Sequence, residues 1–262
     1  MEHFALFSGD TYTTPPGREK IIHKLLLRCR LYYVLRFLAV VLRYWNIARK
    51  HLDYETWSRA SYDMFRLMED CGGRFFITGL DNLRKVEGPV VFVGNHMSML
   101  ETQVPICLTY PYKRAIFVLK KSLQAIPFFG AYVRDCIAVS RTSPADDLKL
   151  VLSQGAERIA EGRSIIIFPQ ATRSVEFIPE KFNSLGVKLA RRAGVPVVPI
   201  ALKTDFWGNG ALMKDFGPIN TGSTIHIEFG EALTVSGTGK TEHERTVDFI
   251  RGRLLSWGGR SR

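Results

Sequence analysis

Cysteines are few in this sequence of 262 residues, and they are widely separated. The four of them are Cys29, Cys71, Cys107 and Cys136. No two lie close enough in sequence to form a CxxC redox pair or part of a cysteine-rich zinc motif. We therefore expect reduced thiols facing the cytosol, and no metal site.

Long uncharged apolar runs are also missing. The most apolar stretch, Leu31 to Ile47, is interrupted by Arg36 and Arg43, whereas a membrane-spanning helix needs about 18 apolar residues in a row. The first twenty residues contain acidic residues and a Pro-Pro pair but no apolar core of a secretory signal. The sequence therefore predicts neither a transmembrane helix nor secretion.

The composition is that of a globular protein. Hydrophobic residues make up 46% of the chain and charged residues 23%, which excludes disordered, collagen-like and coiled-coil chains. A chain of this length can bury a large core in one domain.

Positive charge is concentrated near the N-terminus. The chain carries 36 Lys or Arg residues and 25 Asp or Glu residues, a net charge of +11. Residues 18–50 contain nine of the basic residues and one acid, Glu19, so this segment alone carries nine minus one, or +8. Nucleic acids and anionic membranes are the usual partners of such a surface, and composition does not decide between them.

The same segment has helical order. At 100° per residue most of its cations fall on one side, with Arg30 as the exception. That side carries Lys20, Lys24, Arg28, Arg36, Arg43, Arg49 and Lys50. Because the other side is apolar, such a helix suits a bilayer interface, where each cation near an anionic leaflet contributes about 1 kcal/mol. In the alternative interpretation, the apolar side packs on the protein's own core and the arginines are merely solvated.

From residue 71 onward, short β-branched runs alternate with helical segments, which indicates an α/β fold. The predicted strands are Arg74–Thr78, Val90–Val93, Ala115–Leu119, Ile137–Ser140, Ser164–Phe168, Val195–Leu202 and Thr224–Phe229. We divide the chain into an N-terminal arm (1–17), a basic amphipathic helical motif for membrane docking (18–70) and an α/β domain (71–262).

Helix signals separate these strands. Ser143 is a predicted N-cap, with Pro144 at the first helical position, for a helix that ends near Gly162. Further predicted helices are Tyr54–Glu69, Asn183–Arg192 and Thr241–Trp257. The tail after the last of them, 258–262, is expected to be frayed.

Chemistry is expected where strands end, because ligands of open α/β sheets gather at the carboxyl ends of the strands. The strand ending at Val93 is followed by His96, and Glu101 lies five residues further on. On one continuous helix that spacing would point the two side chains apart, but Ser98 and Glu101 form an S-x-x-E capping box, so the helix begins after His96. A carboxylate beside the imidazole would orient a general base for a hydroxyl; alternatively, Glu101 only caps a helix and His96 only stabilises a turn.

A second polar turn follows the strand that ends at Phe168. Arg173 offers a forked donor suited to phosphate, and Thr172 and Ser174 add hydroxyl groups. The alternative is an ordinary surface loop with a solvated arginine.

Four blocks in this order resemble the glycerolipid acyltransferases of the 1-acylglycerol-3-phosphate (lysophosphatidate) type. NHMSMLE at 95–101 resembles the family's Asn-His-x4-Asp block, and FPQATRS at 168–174 resembles Phe-Pro-Glu-Gly-Thr-Arg-Ser. The segment 119–141 resembles its second block, and VPVVPIAL at 195–202 resembles its apolar strand with two prolines. The match spans roughly residues 75–235.

The resemblance implies a mixed sheet flanked by helices and a set of roles for these residues. His96 would act as general base on a glycerol hydroxyl that attacks an acyl thioester, with Glu101 orienting the imidazole. The implied ligands of the acceptor's phosphate are Arg173, Thr172, Ser174, Arg141, Lys120 and Lys121. An acyl-chain channel is implied at Leu123, Ile126, Phe128 and Phe129. No metal or cofactor is implied; the donor would be acyl-CoA or acyl-carrier protein.

Three positions depart from the family pattern: Glu101 replaces Asp, Gln170 replaces Glu, and Ala171 replaces Gly. The carboxylate is kept with one more methylene, while a negative charge and some backbone freedom are lost beside the phosphate site. These changes bear mainly on the identity of the acceptor.

The expected function is therefore acylation of lysophosphatidate to phosphatidate by a peripheral or monotopic protein on the cytoplasmic side of an anionic membrane. Another lysophospholipid or a lyso-aminolipid is the alternative acceptor. A non-enzymatic nucleic-acid-binding protein is the alternative from a different class, although the basic helix is too apolar for a groove-reading element. We expect no nucleic-acid partner.

Overall fold

The computed structural model describes residues 6–26, 28–50, 52–127, 129–170, 172–210, 215 and 217–262. The N-terminal part contains a short strand followed by three helices. Their bounds are β1 (Tyr12–Thr13), α1 (Ile21–Leu25), α2 (Arg30–Lys50) and α3 (Tyr54–Asp70). The prediction for α3 is confirmed to within one residue, and Asp53 caps its start by accepting a hydrogen bond from the backbone of Thr56.

Strands and helices alternate through the rest of the chain, as predicted. The strands are β2 (Arg74–Thr78), β3 (Val91–Gly94), β4 (Ala115–Lys120), β5 (Ile137–Val139), β6 (Ser164–Ile167), β7 (Glu176–Phe177), β8 (Val197–Lys203), β9 (Thr224–Phe229) and β10 (Arg260–Ser261). The helices are α4 (Leu80–Arg84), α5 (Leu100–Gln103), α6 (Pro105–Thr109), α7 (Pro144–Ala160), α8 (Leu185–Ala193) and α9 (Lys240–Ser256), with 3-10 turns at Lys121–Ala125 and Pro179–Lys181.

Among the described residues, eight strands form one mixed sheet in the order β1-β2-β9-β8-β3-β6-β4-β5. Strands β8, β3, β6, β4 and β5 are mutually parallel. Strand β9 runs antiparallel to β8, and β2 runs parallel to β9. The central strands β3, β6 and β8 are buried along their whole length. The carboxyl ends of five neighbouring strands therefore meet along one edge of the sheet.

The basic segment is not one helix. It breaks between α1 and α2, where Arg28 adopts a left-handed backbone conformation with φ +57°. The expectation of one basic stripe from Lys20 to Lys50 is therefore wrong, because Lys20 and Lys24 no longer share a helical register with Arg36.

Helix α2 has two apolar faces, one buried and one exposed. One face packs on the core through Tyr33, Phe37 and Ala48. The other face exposes an apolar row, which we call the leucine stripe: Leu31, Leu35, Leu38 and Leu42, each between 44% and 60% exposed. Core packing therefore holds for one face of α2, and docking of the other face at a bilayer interface stays a prediction.

The C-terminal tail is ordered, so the expectation of fraying was wrong. Strand β10 pairs in parallel with β7, and the guanidinium of Arg262 forms an ion pair with Glu176 at 2.8 Å. These contacts hold the tail against the chain that follows the 168–174 turn.

Candidate active site

The chain turns sharply after β3, and this turn brings His96 and Glu101 together. Nδ1 of His96 lies 2.6 Å from Oε2 of Glu101. Helix α5 begins only at Leu100, so His96 sits in the turn, as the spacing of five residues requires. The His96 side chain remains 13% exposed, whereas Glu101 is fully buried.

The Glu101 carboxylate also binds the start of the helix. The backbone N–H of Met97 donates to Oε2 at 3.0 Å, and that of Ser98 donates to Oε1 at 2.9 Å. The capping and pairing interpretations of this acid are therefore compatible. The hydroxyl of Ser98 accepts a hydrogen bond from the N–H of Leu100 rather than from Glu101, so the predicted capping box is only half formed.

The loop after β8 completes the surroundings of this pair. The hydroxyl of Thr204 donates to Oε1 of Glu101, and the hydroxyl of Ser98 donates to Thr204 at 3.0 Å. The side-chain amide of Asn209 donates to the backbone oxygen of Met97 at 3.1 Å. Neither Thr204 nor Asn209 was found from the sequence, because each lies more than one hundred positions along the chain and belongs to no short motif.

The imidazole is held flat against an aromatic ring. His96 stacks on Phe168 with 4.8 Å between ring centroids and an angle of 10°. Because Nδ1 is hydrogen-bonded to Glu101, Nε2 is the nitrogen that can meet a substrate. Glu101 thus orients a base whose second nitrogen can take a proton from a hydroxyl.

The turn after β6 forms hydrogen bonds with both the N–H and the carbonyl group of His96. The side-chain oxygen of Gln170 accepts the N–H of His96 at 2.6 Å, and the N–H of Ser174 donates to the carbonyl of His96 at 2.9 Å. The contact explains how glutamine serves at position 170, because an amide oxygen accepts this hydrogen bond as a carboxylate would. Ala171 lies outside the described residues.

Arg173 lies on the same turn and forms an ion pair with a partly exposed carboxylate of this chain. Its guanidinium lies 2.5 Å from Oδ1 of Asp215, and the Arg173 side chain is 17% exposed. Thr172 is exposed beside it. The hydroxyl of Ser174 bonds to the carbonyl of Glu176 at 2.7 Å, so it is engaged within the turn.

Three further basic residues of the predicted phosphate site follow neighbouring strands. Lys120 ends β4, Lys121 begins the 3-10 turn after it, and Arg141 follows β5. All three are exposed at the same edge of the sheet as His96. The backbone N–H of Arg141, whose φ is +63°, donates to Asp147 at 2.7 Å. Topology brings these cations to the edge, with β6 and β4 between β3 and β5.

Of the predicted acyl-chain residues, Phe129 lines an apolar cavity. The other residues around this cavity are Val40, Val41, Trp57, Ala60, Ser61, Met64, Thr102, Gln103, Tyr132 and Val133. It lies between α2, α3 and the end of α5, close to Glu101 along the chain. Leu123 is half-buried and Ile126 is 43% exposed, and neither lines this cavity; Phe128 lies outside the described residues.

The acyltransferase family profile matches residues 74–203. The chain is similar to the 1-acyl-sn-glycerol-3-phosphate acyltransferase of Pseudomonas aeruginosa, at 32% identity over 80% of this chain and 76% of that protein. It is similar to the protein of the same name from Borreliella burgdorferi, at 27% identity over 70% of this chain and 71% of that one.

A solved structure shares the fold. It is the 1-acyl-sn-glycerophosphate (LPA) acyltransferase PlsC from Thermotoga maritima, with a TM-score of 0.61 and 18% identity, covering 87% of this chain and 95% of that one. The predicted fold class, a mixed sheet flanked by helices, is confirmed. At this identity the likeness concerns the fold alone.

Proposed function

The chain belongs to the acyltransferase family, and from this membership we propose that it transfers a fatty acyl group from an acyl thioester to the free hydroxyl of 1-acylglycerol-3-phosphate, giving phosphatidate. The observation that carries the proposal is the hydrogen bond between His96 and the buried Glu101, at the edge where five strands end. A His–carboxylate pair of this kind is a general base for an alcohol.

The reaction needs only groups of this chain and its two substrates. Nε2 of His96 takes the proton from the acceptor hydroxyl as its oxygen attacks the thioester carbonyl. The tetrahedral intermediate then expels the thiolate, which receives the proton back from the imidazolium. Glu101 stabilises that imidazolium and holds the ring orientation throughout. We propose that no metal or cofactor takes part.

Arg173 supports an acceptor that carries a phosphate. Arg173 lies on the turn that holds the His96 backbone, and a substrate phosphate would replace Asp215 as the partner of its guanidinium. Forked guanidinium donors suit phosphate equally well. We assign the acceptor's phosphate to Arg173 and Thr172, with Lys120, Lys121 and Arg141 contributing positive potential along the same edge.

Peripheral membrane docking through α1 and α2 is the second part of the proposal. The leucine stripe and the exposed Ile21, Ile22 and Leu25 present apolar surface. Arg36 and Arg43 lie together on one side of the stripe, about 110–130° around the helix from its centre, and Arg43 is ion-paired with Asp63 at 3.0 Å. Among the described residues, no helix is long and apolar enough to cross a bilayer. Such a helix docks on an anionic leaflet with its leucines in the interface, on the side where the substrates partition.

The buried face of α2 links this surface to the site. Tyr33 packs edge-on against Trp207 at 4.5 Å, and the indole N–H of Trp207 donates to the backbone oxygen of Asp215 at 3.0 Å. The apolar cavity that Phe129 lines is bounded by the same helix, through Val40 and Val41. The cavity is small, about 30 Å³, so we propose that it takes only the last carbons of an acyl chain.

The assay is transfer of a labelled acyl group from acyl-CoA, and separately from acyl-carrier protein, to lysophosphatidate on liposomes. We expect His96→Ala to lose at least about 100-fold in kcat, since a positioned base contributes this much. His243→Ala is the matched control, because His243 is also half-buried and stacks on an aromatic ring, that of Phe182. Equal activity of wild type and His96→Ala would refute the mechanism.

One observation favours a different acceptor. Asp215 already neutralises Arg173, which would suit another lysophospholipid or a lyso-aminolipid without a free phosphomonoester. The variant Arg173→Ala separates the two acceptors, because it should raise KM steeply only for a phosphomonoester. An unchanged KM for lysophosphatidate would exclude that acceptor assignment.

A further inference from the structure

A buried hydroxyl contacts Glu101 of the His96–Glu101 pair at the start of α5. Thr204, the residue directly after β8, is fully buried. Its hydroxyl contacts Oε1 of Glu101, and no family block singled out in the sequence includes it. We propose that Thr204 is a positioning residue that fixes the Glu101 carboxylate for His96; this rests on the proposed acyl transfer.

The neighbouring donors assign the Thr204 proton. The hydroxyl of Ser98 donates to the Thr204 oxygen at 3.0 Å, and the Ser98 oxygen in turn accepts the N–H of Leu100. Because the Thr204 oxygen accepts a hydrogen bond from Ser98, the proton of the Thr204 hydroxyl points to Glu101. A directed chain results, in which Ser98 donates to Thr204, Thr204 donates to Glu101, and His96 donates to Glu101 from the other side.

The longer side chain of glutamate explains why its carboxylate needs the Thr204 hydroxyl as a restraint. A glutamate has one more rotatable bond than the aspartate of the resembling family, so its carboxylate needs more restraint. Among the described residues, Oε2 accepts from His96, Met97 and Ser98, whereas Oε1 accepts from Ser98 and Thr204 alone. Loss of the Thr204 donor leaves the second oxygen with a single shared N–H, and the carboxylate can rotate away from Nδ1.

The test compares Thr204→Val with Thr204→Ser. Valine keeps the shape and removes the hydroxyl, whereas serine restores it. Loss of one hydrogen bond to a buried charge should lower kcat about 10- to 100-fold, with KM for both substrates within about twofold. The matched control is Thr246→Val: Thr246 is equally buried, but its hydroxyl bonds only to the backbone of Glu242 at 2.7 Å.

A readout that does not depend on turnover separates this proposal from the proposed function. The Nδ1 proton of His96, in a 2.6 Å hydrogen bond to a carboxylate, should give a far-downfield proton resonance that His96→Asn abolishes. We expect the resonance to move upfield or vanish in Thr204→Val and to persist in Thr204→Ser and Thr246→Val. If wild type shows it but transfers no acyl group, the proposed function fails while the role of Thr204 stands.

Three results would overturn the role of Thr204. They are a wild-type kcat and resonance in Thr204→Val, an equal loss in Thr246→Val, or a folded Thr204→Ser that regains neither signal. If Thr204→Val does not fold, Ser98→Ala interrupts the same chain one step away. It should weaken both readouts in the same direction, and wild-type behaviour there would overturn the proposal.

Discussion

Replacing Glu101 by glutamine should remove the charge beside His96 while keeping the shape of the buried side chain. With its carbonyl in the place of Oε2, the amide still accepts from Nδ1 of His96 and from the N–H of Met97. Its NH2 group then faces Thr204, whose hydroxyl can accept instead of donate. The N–H of Ser98 keeps its hydrogen bond to the oxygen at the Oε2 position and loses the one to Oε1. The tautomer of His96 is therefore preserved, and the main loss is the electrostatic contribution of Glu101.

The size of that contribution follows from distance. Opposite charges about 4 Å apart interact by about 4 kcal/mol at an effective dielectric of 20, as for a partly screened pair. In the proposed mechanism, this is the stabilisation of the imidazolium that forms as the acceptor hydroxyl loses its proton. A barrier higher by 2–4 kcal/mol corresponds to a kcat lower by roughly 30- to 1000-fold.

The assay is steady-state acyl transfer to lysophosphatidate, with kcat and KM determined for Glu101→Gln and for Glu242→Gln. Glu242 is the matched control, because it is also a buried acid in the first turn of a helix, α9, where it accepts hydrogen bonds from the backbone N–H and the hydroxyl of Ser236. The charge on Glu101 is not what activates His96 if Glu101→Gln keeps a kcat within about threefold of wild type, or if Glu242→Gln falls as far.

Three further expectations follow from other parts of the molecule. Asp215→Asn should lower KM for lysophosphatidate about two- to fivefold at constant kcat, because the Asp215 carboxylate competes with the substrate phosphate for Arg173 in a partly exposed ion pair worth about 1 kcal/mol; a raised KM would mean that Asp215 positions the arginine. Leu35→Ser with Leu38→Ser should weaken sedimentation on anionic liposomes at least about tenfold, with the equally exposed Leu255→Ser as control, and unchanged binding would place the membrane surface elsewhere. A maleimide at pH 8 should label only the exposed Cys29 in the native protein, since burial raises the pKa of the other thiols to about 12 and leaves almost no thiolate; mass spectrometry after labelling should find these three unmodified: Cys71, Cys107 and Cys136.

Local signals predicted most of the fold. Strands β2 and β9 begin and end at the predicted residues, because β-branched runs bounded by polar turns leave little freedom in their bounds. Ser143 caps α7 as expected, by accepting a hydrogen bond from Asp146. The break at Arg28 escaped prediction because nothing in the local composition marks it, and a periodicity projected over the whole segment averages across it.

The residues of the candidate site also fall into those that local sequence signals predict and those that they do not. His96 and Glu101 could be paired from a spacing of five residues and a helix start signal, because both lie within one turn. Thr204 and Asp215 could not, since they reach the site through the pairing of β8 with β3, which only the folded sheet establishes. Contacts of this range carry no local pattern, and chemistry that depends on them is visible only in three dimensions.

Asn95, the residue before His96, belongs to the sheet. Its amide nitrogen donates to the carbonyl of Leu202 at 2.7 Å, and its amide oxygen accepts the N–H of Leu202 at 2.9 Å. The side chain thus stands in for a peptide group, one rung beyond the last backbone pair of β3 and β8. The chain can leave the ladder to form the His96 turn without stranding a buried N–H and C=O of its neighbour. In the pair Asn95-His96, the first side chain completes the hydrogen bonding between β3 and β8, and the second lies in the turn at the candidate active site.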